Sequence, residues 1–153
     1  MYQLATTLPF MVCLVWTAIL LLQFPKTDLA HKALAVFGIV ATLLYFCHYL
    51  HFNGLQTPFS ESLYYLCNLS VYPLYAIYVK CLTRKDKPSA WNLLWFVPAV
   101  TIFIISISSI DISTQELQLA VQILFTIVSI SATAVAAVNL YRFRASVNNF
   151  YIS

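Results

Sequence analysis

Charge is the scarcest commodity in this 153-residue chain. Only 8% of its residues are charged, against 61% hydrophobic, whereas soluble domains carry about 25% charged residues. That shortage leaves too few polar side chains to cover a soluble domain and points to an integral membrane protein. Glycine is nearly absent too: Gly38 and Gly54 are the only two, which excludes a glycine-rich, phosphate-cradling loop. No His-Glu-x-x-His or Gly-x-Ser-x-Gly pattern occurs, so no enzyme activity and no cofactor are expected. The four cysteines, Cys13, Cys47, Cys67 and Cys81, form no Cys-x-x-Cys pair and read as small buried apolar side chains. The first apolar run has neither a basic leader nor an Ala-x-Ala cleavage site, so it reads as a retained helix and not a signal peptide.

Five apolar runs are each long enough to cross about 30 Å of hydrocarbon as a helix. They lie near Leu4–Phe24, Lys32–Phe52, Ser62–Leu82, Trp91–Ile110 and Leu117–Leu140. The predicted fold is all-α: a five-helix transmembrane bundle over residues 1–140, followed by a basic cytoplasmic tail, 141–153. The short polar connections require antiparallel neighbours, and an open sheet edge cannot face lipid. All eight basic residues then fall on one side. Lys26 and Lys32 occupy the first connection, Lys80, Arg84, Lys85 and Lys87 the third, and Arg142 and Arg144 the tail. The second and fourth connections carry Glu61, Asp111 and Glu116 instead. Because lysine and arginine in short loops stay in the cytoplasm, the N-terminus is expected outside the membrane and the C-terminus in the cytoplasm. No acidic or basic residue lies at mid-membrane depth, which counts against an ion-coupled pump. The basic residues read as topology signals, so no direct nucleic-acid contact is expected.

Polar residues within the runs mark faces that avoid lipid. On the fifth run, Gln118, Gln122, Thr126, Ser129, Thr133 and Ala136 recur at three- and four-residue spacing. That stripe is expected to face the bundle or a partner, including a second copy of the chain; lining a ligand cavity is the alternative. On the third run, Tyr65, Asn68, Tyr72, Tyr75 and Val79 share a face, and Asn68 needs a hydrogen-bonding partner there. Pro73 removes one helical hydrogen bond, leaving either a fixed bend or a hinge. His48 and His51 lie three apart at the outer end of the second run, beside Cys47. They are two ligands of the three or four that a metal needs, with interfacial hydrogen bonding or pH sensing as the other readings.

Two stretches, LSVYPLYAIYVKCLT (Leu69 to Thr83) and WNLLWFVPAV (Trp91 to Val100), resemble the membrane-embedded AraC-type transcription regulators of Bacteroidetes, as does the ending YRFRASVNNFYIS (Tyr141 to Ser153). The resemblance covers about Ala30 to Ser153. It implies a multi-span region that anchors a cytoplasmic helix-turn-helix domain and senses a small molecule, a lipid or a membrane-protein partner. The chain departs from the family in three ways. It contains no helix-turn-helix domain, Trp95 and Phe96 stand where a histidine is expected, and the tail is less basic than usual. The expectation is thus the membrane portion of such a regulator, cut before its DNA-binding part. A stand-alone facilitator or accessory subunit is the alternative.

Overall fold

The computed structural model describes residues 2–23, 28–84, 89–108 and 114–152. Lys26, Lys85, Lys87 and Asp111 lie outside the described residues. Every described element is helical: α1 (Tyr2–Gln23), α2 (Leu29–Phe52), α3 (Pro58–Arg84), α4 (Ala90–Leu93), a 3-10 turn (Leu94–Phe96), α5 (Val97–Ile107) and α6 (Thr114–Ile152). Local chemistry sets most of the ends. Asp28 caps α2 by accepting from the His31 amide at 3.0 Å, satisfying one of the orphan donors of a helix N-terminus. At the other end Gly54 takes φ 69°, a conformation that glycine tolerates without a Cβ penalty. The chain then re-enters a helix at once. Thr57 and Ser60 cap α3 reciprocally, each backbone amide donating to the other's hydroxyl at 2.9 and 3.1 Å, with Pro58 as the first helical residue.

The fourth and fifth apolar runs differ from their predicted shapes. The fourth is α-helix, 3-10 turn and α-helix in succession, with Pro98 in the first turn of α5, because proline can donate no hydrogen bond to the preceding turn. The fifth does not stop at Leu140. With no glycine or proline between Thr114 and Ile152, α6 runs unbroken for 39 residues, about 58 Å at 1.5 Å per residue. Every described side chain from Leu140 to Val147 is exposed, so this end of α6 projects past the bundle as helix.

Helix α3 is the centre. It packs against α2, α5 and α6, while α1 packs mainly on α2. The core joins Tyr65 and Leu69 of α3 to Ala99 and Ile102 of α5 and Val121 of α6. Pro73 is fully buried inside α3 without interrupting it. Cys47, Cys67 and Cys81, none of them in a disulfide, are buried among these helices. By length and composition two helical stretches, Leu29–Phe52 and Gln115–Val147, are long and apolar enough to cross a membrane; Thr7–Gln23 and Trp91–Ile107 are apolar but shorter. Helix α3 has the length, but its serines, Asn68 and Glu61 dilute its hydropathy.

The helix seams are made by small and hydroxyl-bearing residues. A Cβ on Gly38 would lie 2.7 Å from Thr17 Oγ1, so any other residue at this meeting point of α1 and α2 would displace the Thr17 side chain. Thr17 and Thr42 share a hydrogen bond of 3.0 Å between their hydroxyls there. Ser62 and Ser106 join α3 to α5 in the same way at 2.7 Å. These contacts also give the directions: α2 and α5 run antiparallel to α3, whereas α6, which meets α3 at Tyr72–Phe125, runs parallel to it. Lys32, Lys80, Arg84, Arg142 and Arg144 therefore lie toward one end of the bundle, and Glu61 and Glu116 toward the other.

Candidate functional site

At that acidic end the C-terminal turns of α2 and the N-terminal halves of α3 and α6 diverge around a cavity of about 370 Å³. Its position follows from the tight 53–57 turn, which holds the last turn of α2 beside the first turns of α3. Helix α2 contributes Cys47, His48, His51 and Phe52; α3 contributes Ser60, Glu61, Tyr64, Tyr65 and Asn68; α6 contributes Gln118, Val121, Gln122 and Phe125. Gln56 of the turn completes the rim.

Hydrogen bonds and ring contacts hold much of this lining in place. The Tyr65 hydroxyl donates to Glu61 Oε1 at 2.7 Å. These residues are one helical turn apart on α3, and Tyr65 is only 5% exposed. His51 Nδ1 and Gln56 Oε1 share a hydrogen bond of 2.6 Å. The His48 ring meets Tyr64 edge-on at 5.0 Å and stacks on Phe52 at 6.3 Å, while Tyr64 and Tyr65 contact each other at 5.8 Å. Such ring pairs favour edge and offset geometries because the aromatic face is negative and the edge positive.

The structure brings together five of the residues that the sequence marks separately: His48, His51, Asn68, Gln118 and Gln122 all line the cavity. Cys47, Glu61 and Tyr65, named on the same stretches, line it as well, whereas the remaining marked residues lie elsewhere. Tyr72 packs edge-on against Phe125 at 5.4 Å, and Tyr75 is exposed. The α6 stripe divides. Ala136 is buried, but Thr126 and Thr133 are exposed, and the hydroxyls of Thr126 and Ser129 turn back onto the carbonyls of Gln122 and Thr126. The buried row of α6 is instead Val121, Ala132, Ala136 and Asn139. Among the described residues no three His, Cys, Asp or Glu side chains are grouped so as to hold a metal ion.

In the sequence Glu61 reads only as a loop charge, and no pattern singles out Tyr64, Gln56 or Phe125. A glutamate one turn before a tyrosine, at the start of an apolar helix, was the available signal for the Glu61–Tyr65 pair. Toward the basic end a second, much smaller cavity of about 30 Å³ touches Pro73, Lys80, Asn92 and Trp95. Asn92 Nδ2 is buried without a hydrogen-bond partner.

Protein-family profiles, characterised proteins and solved structures were compared with the chain, and none matches it.

Proposed function

We propose that this chain is a membrane-embedded anchor and sensor module of the kind carried by AraC-type transcription regulators. In this reading five helical segments cross a bacterial inner membrane, with the N-terminus outside and Ser153 in the cytoplasm, and the cavity faces the outer side. DNA is contacted only by a helix-turn-helix domain, which this sequence does not contain.

One observation carries the reading: the bundle is apolar outside, and its central helix is less apolar than the helices that wrap it. Helix α3, with three serines, five tyrosines and Asn68, is wrapped by its neighbours. Large exposed hydrophobics cover α1, α2, α5 and α6, among them Leu8, Trp16, Leu22, Val36, Ile104, Ile123, Ile127 and Ile130. A contiguous apolar exterior of this kind suits lipid and not water, and close seams of glycine, serine and threonine suit helices that associate without a hydrophobic drive. The separation of basic and acidic ends agrees with retention of lysine and arginine in the cytoplasm.

The cavity provides a route for a signal. A ligand there touches α3 and α6 together, and α6 continues without a break to the basic end. A shift of one helix against the other, of the order of 1–2 Å as in other helix-shift switches, would be carried along α6 to whatever follows it. Reporter fusions test the topology: a cytoplasm-active reporter at Ser153 is expected to work, and a periplasm-active reporter at Leu55 likewise. The reverse pattern would remove the reading.

A second reading, an accessory subunit or facilitator that packs on a partner or on itself, is favoured by the exposed Thr126 and Thr133 row of α6. Cross-linking of single cysteines placed along that row in native membranes separates the two.

A further inference from the structure

We infer that the cavity between α2, α3 and α6 receives a small organic cation, an ammonium group carried on a compact apolar body. This rests on the membrane-sensor reading above and adds the chemistry of the signal.

The charge of the cavity is the first ground. Glu61 is its only carboxylate, and no lysine or arginine lines it among the described residues. The partner that Glu61 has is the neutral Tyr65 hydroxyl, at 2.7 Å. A carboxylate partly withdrawn from water is stabilised by a countercharge, and no lysine or arginine in the lining supplies one. An incoming ammonium does. An anion would instead meet Glu61 with only the two imidazoles to offset it.

The second ground is the ring content. Tyr64, Tyr65, Phe52 and Phe125 border the same space. Aromatic faces carry negative quadrupole potential and attract cations within about 6 Å, more strongly where water is excluded. The amide oxygens of Asn68 and Gln122 are further acceptors for ammonium N–H groups. A third ground is size: about 370 Å³ falls at the small end of ligand sites, which run from roughly 300 to 1,000 Å³, and so suits a compact molecule.

The test is calorimetric titration of the full chain in lipid nanodiscs with three probes of one shape: 2-phenylethylamine, 2-phenylethanol and phenylacetate. At neutral pH these are a cation, a neutral molecule and an anion. The amine is expected to bind at least about tenfold more tightly than either of the others. Glu61→Gln should bring the amine down to the affinity of the alcohol. Tyr64→Leu, at the half-buried rim, should weaken the amine while leaving the alcohol nearly unchanged, and it serves if Glu61→Gln does not fold. Equal or tighter binding of the alcohol or the carboxylate overturns the proposal, as does a wild type that binds none of the three. So does a folded Glu61→Gln protein that binds the amine as the wild type does. The reporter fusions at Ser153 and Leu55 are read independently. If they show the expected topology while the amine fails to bind, the ligand class falls and the membrane reading stands.

Discussion

The seam between α1 and α2 and the cavity between α2, α3 and α6 share one helix and follow opposite rules. At the seam Gly38 and Thr17 bring two helices close enough that a Cβ would crowd the Thr17 hydroxyl, and Thr17 shares a hydrogen bond with Thr42. At the C-terminal end of the same α2, bulky His48, His51 and Phe52 line the space between the neighbouring helices. The contrast shows how a chain with few polar residues uses them. Small hydroxyls are spent where helices must close, and large hydrogen-bonding rings where they must stay open. Stability is therefore expected to reside in the seams, and response to a ligand in the cavity.

The largest effect should come from filling the seam. Gly38→Leu puts a branched side chain where even a Cβ lies 2.7 Å from Thr17 Oγ1, and it should cost about 3 kcal/mol by overpacking. Thermal unfolding in detergent would show it, with ligand affinity unchanged in whatever protein remains folded. Were Gly38→Leu tolerated, the seam would not be the rigid half of the comparison. A smaller loss, roughly 0.6–1.5 kcal/mol, is expected for Ser62→Ala, which removes the interhelical bond to Ser106, on the scale of hydrogen bonds between membrane helices.

On the cavity side the ordering reverses. His48→Ala with His51→Ala should change stability by less than about 1 kcal/mol, because their contacts are rim hydrogen bonds and ring packing. On the proposed sensor reading, the same pair should abolish most of the ligand response, scored with a transcriptional reporter. Loss of folding with no separate effect on response would collapse the distinction. The smallest effect belongs to Thr126→Ala with Ser129→Ala. Both hydroxyls bond their own helix backbone, so unfolding of the monomer should shift by no more than about 0.5 kcal/mol. A change in oligomeric state in these variants would instead show that this row contacts a partner.

Much of the secondary structure was legible because it rests on local signals. Apolar runs bounded by Asp28, Asn53–Gly54 and Thr57–Pro58 mark their own ends through capping and turn chemistry. The break in the fourth run was half legible: Pro98 announced a helix start, but the 3-10 turn before it has no signal beyond a row of bulky residues. The length of α6 was misjudged at Leu140, because a fall in hydropathy marks where lipid contact would end and not where hydrogen bonding does.

The candidate site was legible only in pieces. His48 and His51, Asn68, and Gln118 with Gln122 each stood out as polar residues in apolar surroundings. Nothing local says that these three helices converge. Periodicity of the α6 stripe pointed to Thr126 and Thr133 as well, yet the buried row, Val121, Ala132, Ala136 and Asn139, shares only Ala136 with it. A serine or threonine hydroxyl can be satisfied by the carbonyl three or four residues back, so its presence on a helix does not tell which face is buried. The seam at Gly38 had only a lone glycine as its sign.

The sequence by itself determined an all-helical chain, the order of its helices and the gathering of charge, because helix formation and charge placement depend on neighbours along the chain. Only the tertiary structure decided that α3 is central, that α6 lies alongside it in parallel, and that Glu61, the tyrosines and the glutamines surround one space. The physical reason is that helix pairing in this chain depends on shape at a few close contacts, such as Gly38 against Thr17 and Ser62 against Ser106, whose partners are far apart in sequence.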